Sequence, residues 1–116
     1  MTATPAYFLT RQAALDLRGI HAYSKRKWGQ QVADTYIRAL YAAIQGAAAR
    51  PDQGRLRQQR STPFLMVPAR QHFIIYDTLA AGIVILTIQN QVRDIESLIA
   101  ELTPAFLVAI ERLRRQ

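Results

Sequence analysis

The chain has 116 residues and a formal net charge of +7, and half of its residues are hydrophobic. This length and composition are typical of one globular domain and exclude the disordered and collagen-like classes. Cysteine is absent, which excludes disulfides, thiolate zinc sites and cysteine nucleophiles and agrees with a reducing compartment. No apolar run approaches the roughly 20 residues of a membrane span, and no secretory signal is recognisable, so we expect a cytoplasmic protein.

The positive charge comes mainly from arginine, with thirteen arginines against two lysines. The planar guanidinium group suits both carboxylates and phosphates, so an acidic protein and a nucleic acid are both candidate partners. A third interpretation is a basic surface that only aids solubility. Net charge alone does not separate the three.

The first predicted elements are a short strand and a helix. Residues 6–10 combine aromatic and aliphatic side chains after Pro5, which favours a strand. Thr10 is a suitable N-cap for a helix over residues 11–28. The helix is indicated by a stripe of residues three and four positions apart, namely Ala14, Leu17, Ile20, Ser24 and Trp28.

A second helix follows the break at Gly29. Its apolar stripe consists of Val32 or Ala33, then Tyr36, Ile37, Leu40, Tyr41, Ile44, Ala47 and Ala48. Pro51 ends this helix, because proline disfavours helical geometry at the preceding residue and donates no backbone hydrogen bond. The short break predicts an antiparallel helical hairpin that covers one face of a sheet.

A basic loop is predicted over residues 50–63, RPDQGRLRQQRSTP. It carries Arg55, Arg57 and Arg60 within six positions. Three like charges this close repel one another unless an anion or water screens them. The cluster therefore favours a partner-binding surface, and a solvated loop is the alternative.

Three apolar runs follow, at residues 64–67, 73–76 and 83–88, with short connections typical of a three-stranded antiparallel meander. The runs are continuous rather than alternating, so we expect both faces of the sheet to be covered. Arg70 lies between the first two runs and Arg93 follows the third. Each is either a grip for a phosphate or an acidic partner, or a solvated arginine at a strand end.

The C-terminal segment reads as two helices. Asp94 is a suitable cap for residues 95–102, and Thr103 and Pro104 resemble the N-cap and first position of another helix. The second helix carries a stripe formed by Phe106, Ile110 and Leu113. The stripe either packs on the domain, mediates self-association or, since arginines flank it, binds an acidic amphipathic partner. We expect one domain over residues 1–116, with a core at about 6–99 and a helical extension at about 100–116.

The two histidines indicate neither a metal nor a cofactor. His72 begins an apolar strand and His21 lies on the first helix, and the two are too far apart in sequence to show metal-ligand spacing. A packed or edge histidine is the favoured interpretation of His72. No carboxylate pair or glycine-rich phosphate loop is present, so we predict no metal and no cofactor.

The order strand, helix, helix, basic loop, meander and C-terminal helix resembles the ParE branch of the RelE/ParE toxin superfamily over about residues 6–99. The matching segments are YFLTRQAALDLRGIHAYSKRKWG, ARPDQGR, PARQHFIIYD and ILTIQNQVRDIESL. The resemblance implies an α+β fold and the toxin role in a type II toxin–antitoxin pair, neutralised by a cognate antitoxin. Asn90 departs from the pattern, since a histidine is common there in the ParE branch.

The branch decides the expected function, because the ParE branch is associated with poisoning of DNA gyrase and the RelE branch with cleavage of messenger RNA. RNA cleavage needs a base, an acid and a cation at the phosphate, yet after Tyr76 the chain has no Tyr, His or Lys. We therefore expect a non-enzymatic gyrase inhibitor, and direct nucleic-acid binding is not favoured. The alternatives are a ribosome-dependent mRNA interferase that uses Arg70 and Arg93, and a non-toxic protein-binding module.

Overall fold

The computed structural model describes residues 6–53, 55–59, 62–91 and 95–115. The elements follow the α+β order that the sequence predicts, with one additional strand. They are β1 (Tyr7–Leu9), α1 (Arg11–Trp28), α2 (Gln30–Ala49), a 3-10 turn (Pro51–Gln53), β2 (Arg55–Gln59), β3 (Thr62–Ala69), β4 (His72–Leu79), β5 (Gly82–Asn90) and α3 (Ile95–Arg114). Within the described residues, no helix is both long enough and apolar enough to span a membrane.

The five strands form one mixed sheet in the order β1-β5-β4-β3-β2. Strands β2 to β5 are antiparallel neighbours, whereas β1 pairs in parallel with β5, with Leu9 opposite Ile85. Gly82 opens β5 at a close approach, since a Cβ at this position would lie 2.2 Å from the carbonyl oxygen of Ala6. That oxygen accepts a hydrogen bond from the Ile83 amide at 3.2 Å, so β1 and the start of β5 depend on a glycine here.

The helical hairpin is attached to the sheet through Thr10, the N-cap residue of α1. The hydroxyl of Thr10 accepts a hydrogen bond from the Ala13 amide at 3.0 Å, which caps α1, and donates to the carbonyl of Leu86 at 2.8 Å. The helix ends at Gly29, whose φ of 91° is accessible mainly to glycine. The chain then reverses directly into α2, as the sequence predicts.

The sheet separates two apolar clusters. On one face, α1 and α2 bury side chains that include Leu17, Leu40 and Ile44 against strand residues such as Ile74 and Ile85. On the other face, α3 covers a cluster formed by Phe64, Met66, Ile75, Val84, Leu86, Phe106 and Ile110. Both faces are thus covered, which explains why the strand sequences are continuously apolar.

The expected loop over residues 50–63 is wrong in part, because Arg55–Gln59 forms strand β2. It pairs with β3 so that Leu56 lies opposite Leu65 and Arg57 lies opposite Phe64. As the outermost strand of the sheet, β2 has one free edge, and charged and polar residues are common on such edges. Because its sequence is mainly polar, a search for apolar runs does not identify this strand.

The expected pair of C-terminal helices is also wrong, since α3 runs unbroken through Pro104. A proline inside a helix costs about 3 kcal/mol through its missing N–H and its ring. Beyond it, Phe106 and Ile110 are 3% and 2% exposed. Burial of two such side chains contributes about 1.5–3 kcal/mol each, which offsets the cost of the proline.

Candidate functional site

A groove of about 750 Å³ lies beside the helical hairpin. One wall is a face of α1 and the other is the start of α2, and the ends of β4 and β5 form the floor. The lining residues are Leu15, Asp16, Gly19, Ile20, Tyr23, Ser24, Lys27, Trp28, Val32, Tyr36, Gln71, His72, Ile88, Gln89 and Asn90.

The groove concentrates exposed apolar side chains. Seven large apolar side chains are exposed in the part of the chain that the structure describes, and four of them line this groove. These four are Leu15, Tyr23, Trp28 and Val32. Because single exposed apolar residues are ordinary and clusters are not, the groove is the strongest candidate for a binding site.

Two aromatic rings and a lysine form the upper end of the groove. The rings of Tyr23 and Trp28 meet edge to face, with centroids 6.0 Å apart and planes at 80°. The ammonium nitrogen of Lys27 lies 5.3 Å from the Trp28 centroid and donates a hydrogen bond to the Tyr23 hydroxyl at 3.2 Å. Trp28 is 52% exposed, so its predicted place on the core stripe of α1 is wrong.

The carboxylate of Asp16 fastens α1 to β5 at the groove floor. One oxygen accepts hydrogen bonds from the Thr87 hydroxyl and, at 3.1 Å, from the Ile88 amide. The other accepts from the Gln12 side-chain amide at 2.8 Å. Since both oxygens are engaged within the chain, Asp16 acts as a structural clamp and not as a free acid.

The hydroxyl of Tyr36 joins α2 to the turn between β3 and β4. It accepts a hydrogen bond from the Gln71 amide at 3.1 Å and lies 2.6 Å from Nδ1 of His72. The proton shared between the two groups belongs to Tyr36 or to His72 according to the tautomer of the ring. Burial lowers the pKa of His72 below its usual value, and the nearby Asp16 carboxylate opposes this effect. The interpretation of His72 as a packed histidine agrees with this geometry.

Arg70 stands at the turn between β3 and β4 with an exposed side chain. Its φ of 56° is in the left-handed region, and its carbonyl accepts a hydrogen bond from the Gln91 side chain at 3.1 Å. Arg70 lines a second pocket of about 340 Å³, which shares Val32 and Tyr36 with the groove. The structure thus brings one predicted partner-binding arginine to the side of the groove.

The other predicted site residues that the structure describes are not among those that line the groove. Arg55 and Arg57 lie on the edge strand β2, and Arg60 and Arg93 lie outside the described residues. Phe106, Ile110 and Leu113 pack against the opposite face of the sheet. Packing is therefore the alternative that the structure shows for this stripe, and a partner-binding role for these seven residues stays a prediction.

A basic patch lies at the bend of the hairpin. The last turn of α1 carries Lys25, Arg26 and Lys27, where positive charge complements the helix dipole. Below it, His21 and Asp34 join α1 to α2 at 2.8 Å, and this hydrogen bond is the main reason that the pKa of Asp34 is lowered. None of the three basic side chains forms an ion pair with another residue that the structure describes.

The groove itself escaped the sequence-based prediction. Leu15 and Tyr23 lie off the predicted core stripe of α1, and apolar residues on a second face of an amphipathic helix are a signal of such a surface. Val32 and Ala33 were alternative first residues of the α2 stripe; Ala33 is buried and Val32 is exposed. Within the described part of the chain, no three histidine or acidic side chains come together as metal ligands.

Comparison with known proteins connects this architecture to one family. The sequence model of that family, "ParE toxin of type II toxin-antitoxin system, parDE", matches residues 7–95. The chain is 31% identical over 70 residues to "Toxin ParE1" of Caulobacter vibrioides, which covers 60% of this chain and 73% of that protein. A solved structure from the chromosomal ParDE system of P. aeruginosa has the same fold, with a TM-score of 0.64 and 18% identity, over 75% of this chain and 96% of that one.

Proposed function

Since this chain belongs to the ParE toxin family of type II toxin–antitoxin systems, we propose that it inhibits DNA gyrase by binding and is neutralised by a cognate antitoxin. The observation that carries the proposal is the match of the family model to residues 7–95, which spans the hairpin and the whole sheet. Gyrase as the target comes from the association of the ParE branch with that enzyme. The proposal assigns the chain no bond-making chemistry of its own.

The surroundings of Arg70 support binding over RNA cleavage. A nuclease needs a group there with a free lone pair to take the proton of a ribose hydroxyl. Nδ1 of His72 faces the Tyr36 hydroxyl at 2.6 Å, and that hydroxyl is also engaged by a backbone amide. The histidine and tyrosine closest to this turn are thus committed to each other.

A supercoiling assay tests the proposal directly. Purified protein added to gyrase and relaxed plasmid should reduce supercoiling or accumulate the cleaved gyrase–DNA complex, and prior addition of the antitoxin should restore activity. The absence of any effect on gyrase at high molar excess would rule out this target.

A cell-free translation reaction tests the interferase alternative. We expect intact messenger RNA. Codon-positioned cuts that disappear with Arg70→Ala or Arg93→Ala, and persist with the control Arg11→Ala on exposed α1 surface, would instead establish a nuclease. If neither reaction nor cell growth responds to the wild-type chain, the protein is a non-toxic binding module.

A further inference from the structure

We propose that two copies of this chain associate through the outward face of α3, in an antiparallel helix pair centred on Val108. The inference goes beyond the proposed function, since it requires neither gyrase nor an antitoxin. It starts from the position of α3, which begins where the match to the family model ends, at residue 95. Nearly all of this helix therefore lies outside the residues that the family model matches.

The outward face of α3 carries an apolar patch. Leu107 and Val108 are 43% and 54% exposed, and Pro104 and Ala105, about one turn earlier, are exposed as well. The opposite side of the same helix packs on the sheet, so α3 is apolar on both sides. Packing on the sheet does not require apolar residues on the outward face, and clusters of this kind mark interaction surfaces.

The order of charges along α3 favours a second copy of the same helix as the occupant of this patch. Glu96 and Glu101 belong to its first half, whereas Arg112 and Arg115 lie at its C-terminal end together with Glu111. When two such helices lie antiparallel, the more acidic half of each faces the more basic half of the other. A parallel pair would bring like charges together instead.

Helix geometry sets the register of this pair. Positions 101 and 115 lie on the same face as Val108, seven residues to either side of it, because seven residues make almost two turns. A two-fold axis at Val108 therefore places position 101 of one copy opposite position 115 of the other, and does so twice. These positions hold Glu101 and Arg115. The contact thus combines an apolar centre with opposite charges at both ends.

The proposed contact also limits the repulsion between two basic chains. The positions of the outward face hold two acidic residues, Glu101 and Glu111, and two basic ones, Arg112 and Arg115, so their formal charges cancel although the chain carries +7. Arg115 pairs with Glu111 at 3.1 Å, with both side chains exposed. Such a pair contributes little by itself, so Arg115 can also approach a carboxylate of the second copy.

Sedimentation of the purified full-length chain over a range of concentrations tests the proposal. Since the patch is small compared with the interfaces of stable dimers, we expect a monomer–dimer equilibrium with a dissociation constant on the order of 10 μM. The assay contains neither gyrase nor an antitoxin, so its result is independent of the proposed function.

Two matched substitutions locate the contact. Val108→Glu places two carboxylates next to each other at the axis and should weaken association at least about 10-fold. The control Val32→Glu makes the same change on α2, where Val32 is 49% exposed, and should change association less than about 2-fold because it lies outside the contact. Circular dichroism verifies that both variants are folded.

A charge exchange tests the antiparallel register. Arg115→Glu brings like charges together at both ends of the contact and should weaken association about 5-fold or more. Adding Glu101→Arg to this variant restores opposite charges at both ends, so the double variant should return to within about 2-fold of wild type.

Three results would overturn the inference. The first is a wild-type chain that stays monomeric at about 200 μM, well above the expected dissociation constant; the outward face of α3 then belongs to another partner or to none. The second is an equal loss of association in Val108→Glu and Val32→Glu, which would place the contact at the hairpin. The third is a double charge variant that associates no better than Arg115→Glu alone.

Discussion

The hairpin side of the sheet carries two helices fastened by polar bonds, whereas the opposite side carries one helix held mainly by apolar contact. On the hairpin side, Thr10 and Asp16 each make hydrogen bonds to β5 at least partly buried from solvent. On the opposite side, Arg114 of α3 makes polar contacts with the sheet at 3.4–3.8 Å that are exposed to solvent. We therefore expect α3 to detach from the sheet at a lower free-energy cost than the hairpin.

The largest expected effect comes from substitutions in the apolar clusters on the two faces of the sheet. Ile44 and Ile110 are 0% and 2% exposed, one on each face. Ile44→Ala should lower the free energy of unfolding by about 3–4 kcal/mol, and Ile110→Ala by about 2 kcal/mol, because loss of α3 limits the second cost. Urea denaturation followed by circular dichroism measures both values. Equal losses with equal denaturant slopes would show that α3 is as integral as the hairpin.

The next effect tests the hydrogen bonds by which Asp16 attaches α1 to β5. Asp16→Asn removes the negative charge and replaces one of the two acceptor oxygens by an amide group. Because Asp16 accepts hydrogen bonds from Thr87 and Ile88, the substitution should lower the free energy of unfolding by about 1–2 kcal/mol. Gln12→Ala is the matched control, because it removes only the exposed partner of Asp16 and should stay within about 0.5 kcal/mol. Thermal unfolding of the two variants gives the difference. Similar midpoints would mean that the clamp contributes little.

A smaller effect is expected from the protonation of His72, which makes stability depend on pH. The pKa of His72 is lower in the folded chain than its unfolded value of 6.5, so the unfolded chain takes up the proton first as pH falls. The stability that depends on neutral His72 is therefore complete above about pH 6.5 and decreases on acidification below it. The free energy of unfolding of wild type, measured between pH 7.5 and 5 (roughly the range in which histidines titrate), should fall more steeply than that of His72→Gln. Parallel curves would show that burial of this ring has no energetic consequence.

The smallest expected effect lies on the α3 side. Arg114 approaches Asp77 at 3.8 Å and its side chain is 55% exposed. An exposed pair at this distance contributes little, so Arg114→Ala should change the free energy of unfolding by less than about 0.5 kcal/mol. A larger loss in a urea titration would mean that α3 is held by charge as well as by apolar contact.

The apolar patterns of the sequence predicted most of the architecture because burial on both faces of the sheet imposes them. The hairpin, the three apolar strands and the cover by a C-terminal helix all follow from runs and stripes of this kind. Strand β2 was missed because its sequence, RLRQQ, contains a single apolar residue, whereas the strand is identified by its pairing with β3 at the edge of the sheet. The unbroken α3 was missed because local proline geometry competes there with the burial of Phe106 and Ile110.

The candidate site was harder to predict than the fold. Periodicity identifies the face of a helix that packs, but a groove depends on how two helices and a sheet are placed in space. Arg70 was identified because it interrupts apolar runs, and Trp28 was misplaced because aromatic residues usually belong to the core. Gly19 has no sequence signal beyond its unfavourable position inside a helix.

The parallel pairing of β1 with β5 joins residues far apart in sequence, so we expect it to form late in folding. The hairpin needs only local contacts, whereas the hydrogen bond from Thr10 to Leu86 spans 76 positions. Contacts between residues so distant in sequence form late, because the entropy of closing the intervening chain opposes them. We therefore expect β1, the first strand of this sheet to be synthesised, to be among the last to be fixed, and a translation product that stops before β5 has neither a complete sheet nor the floor of the groove.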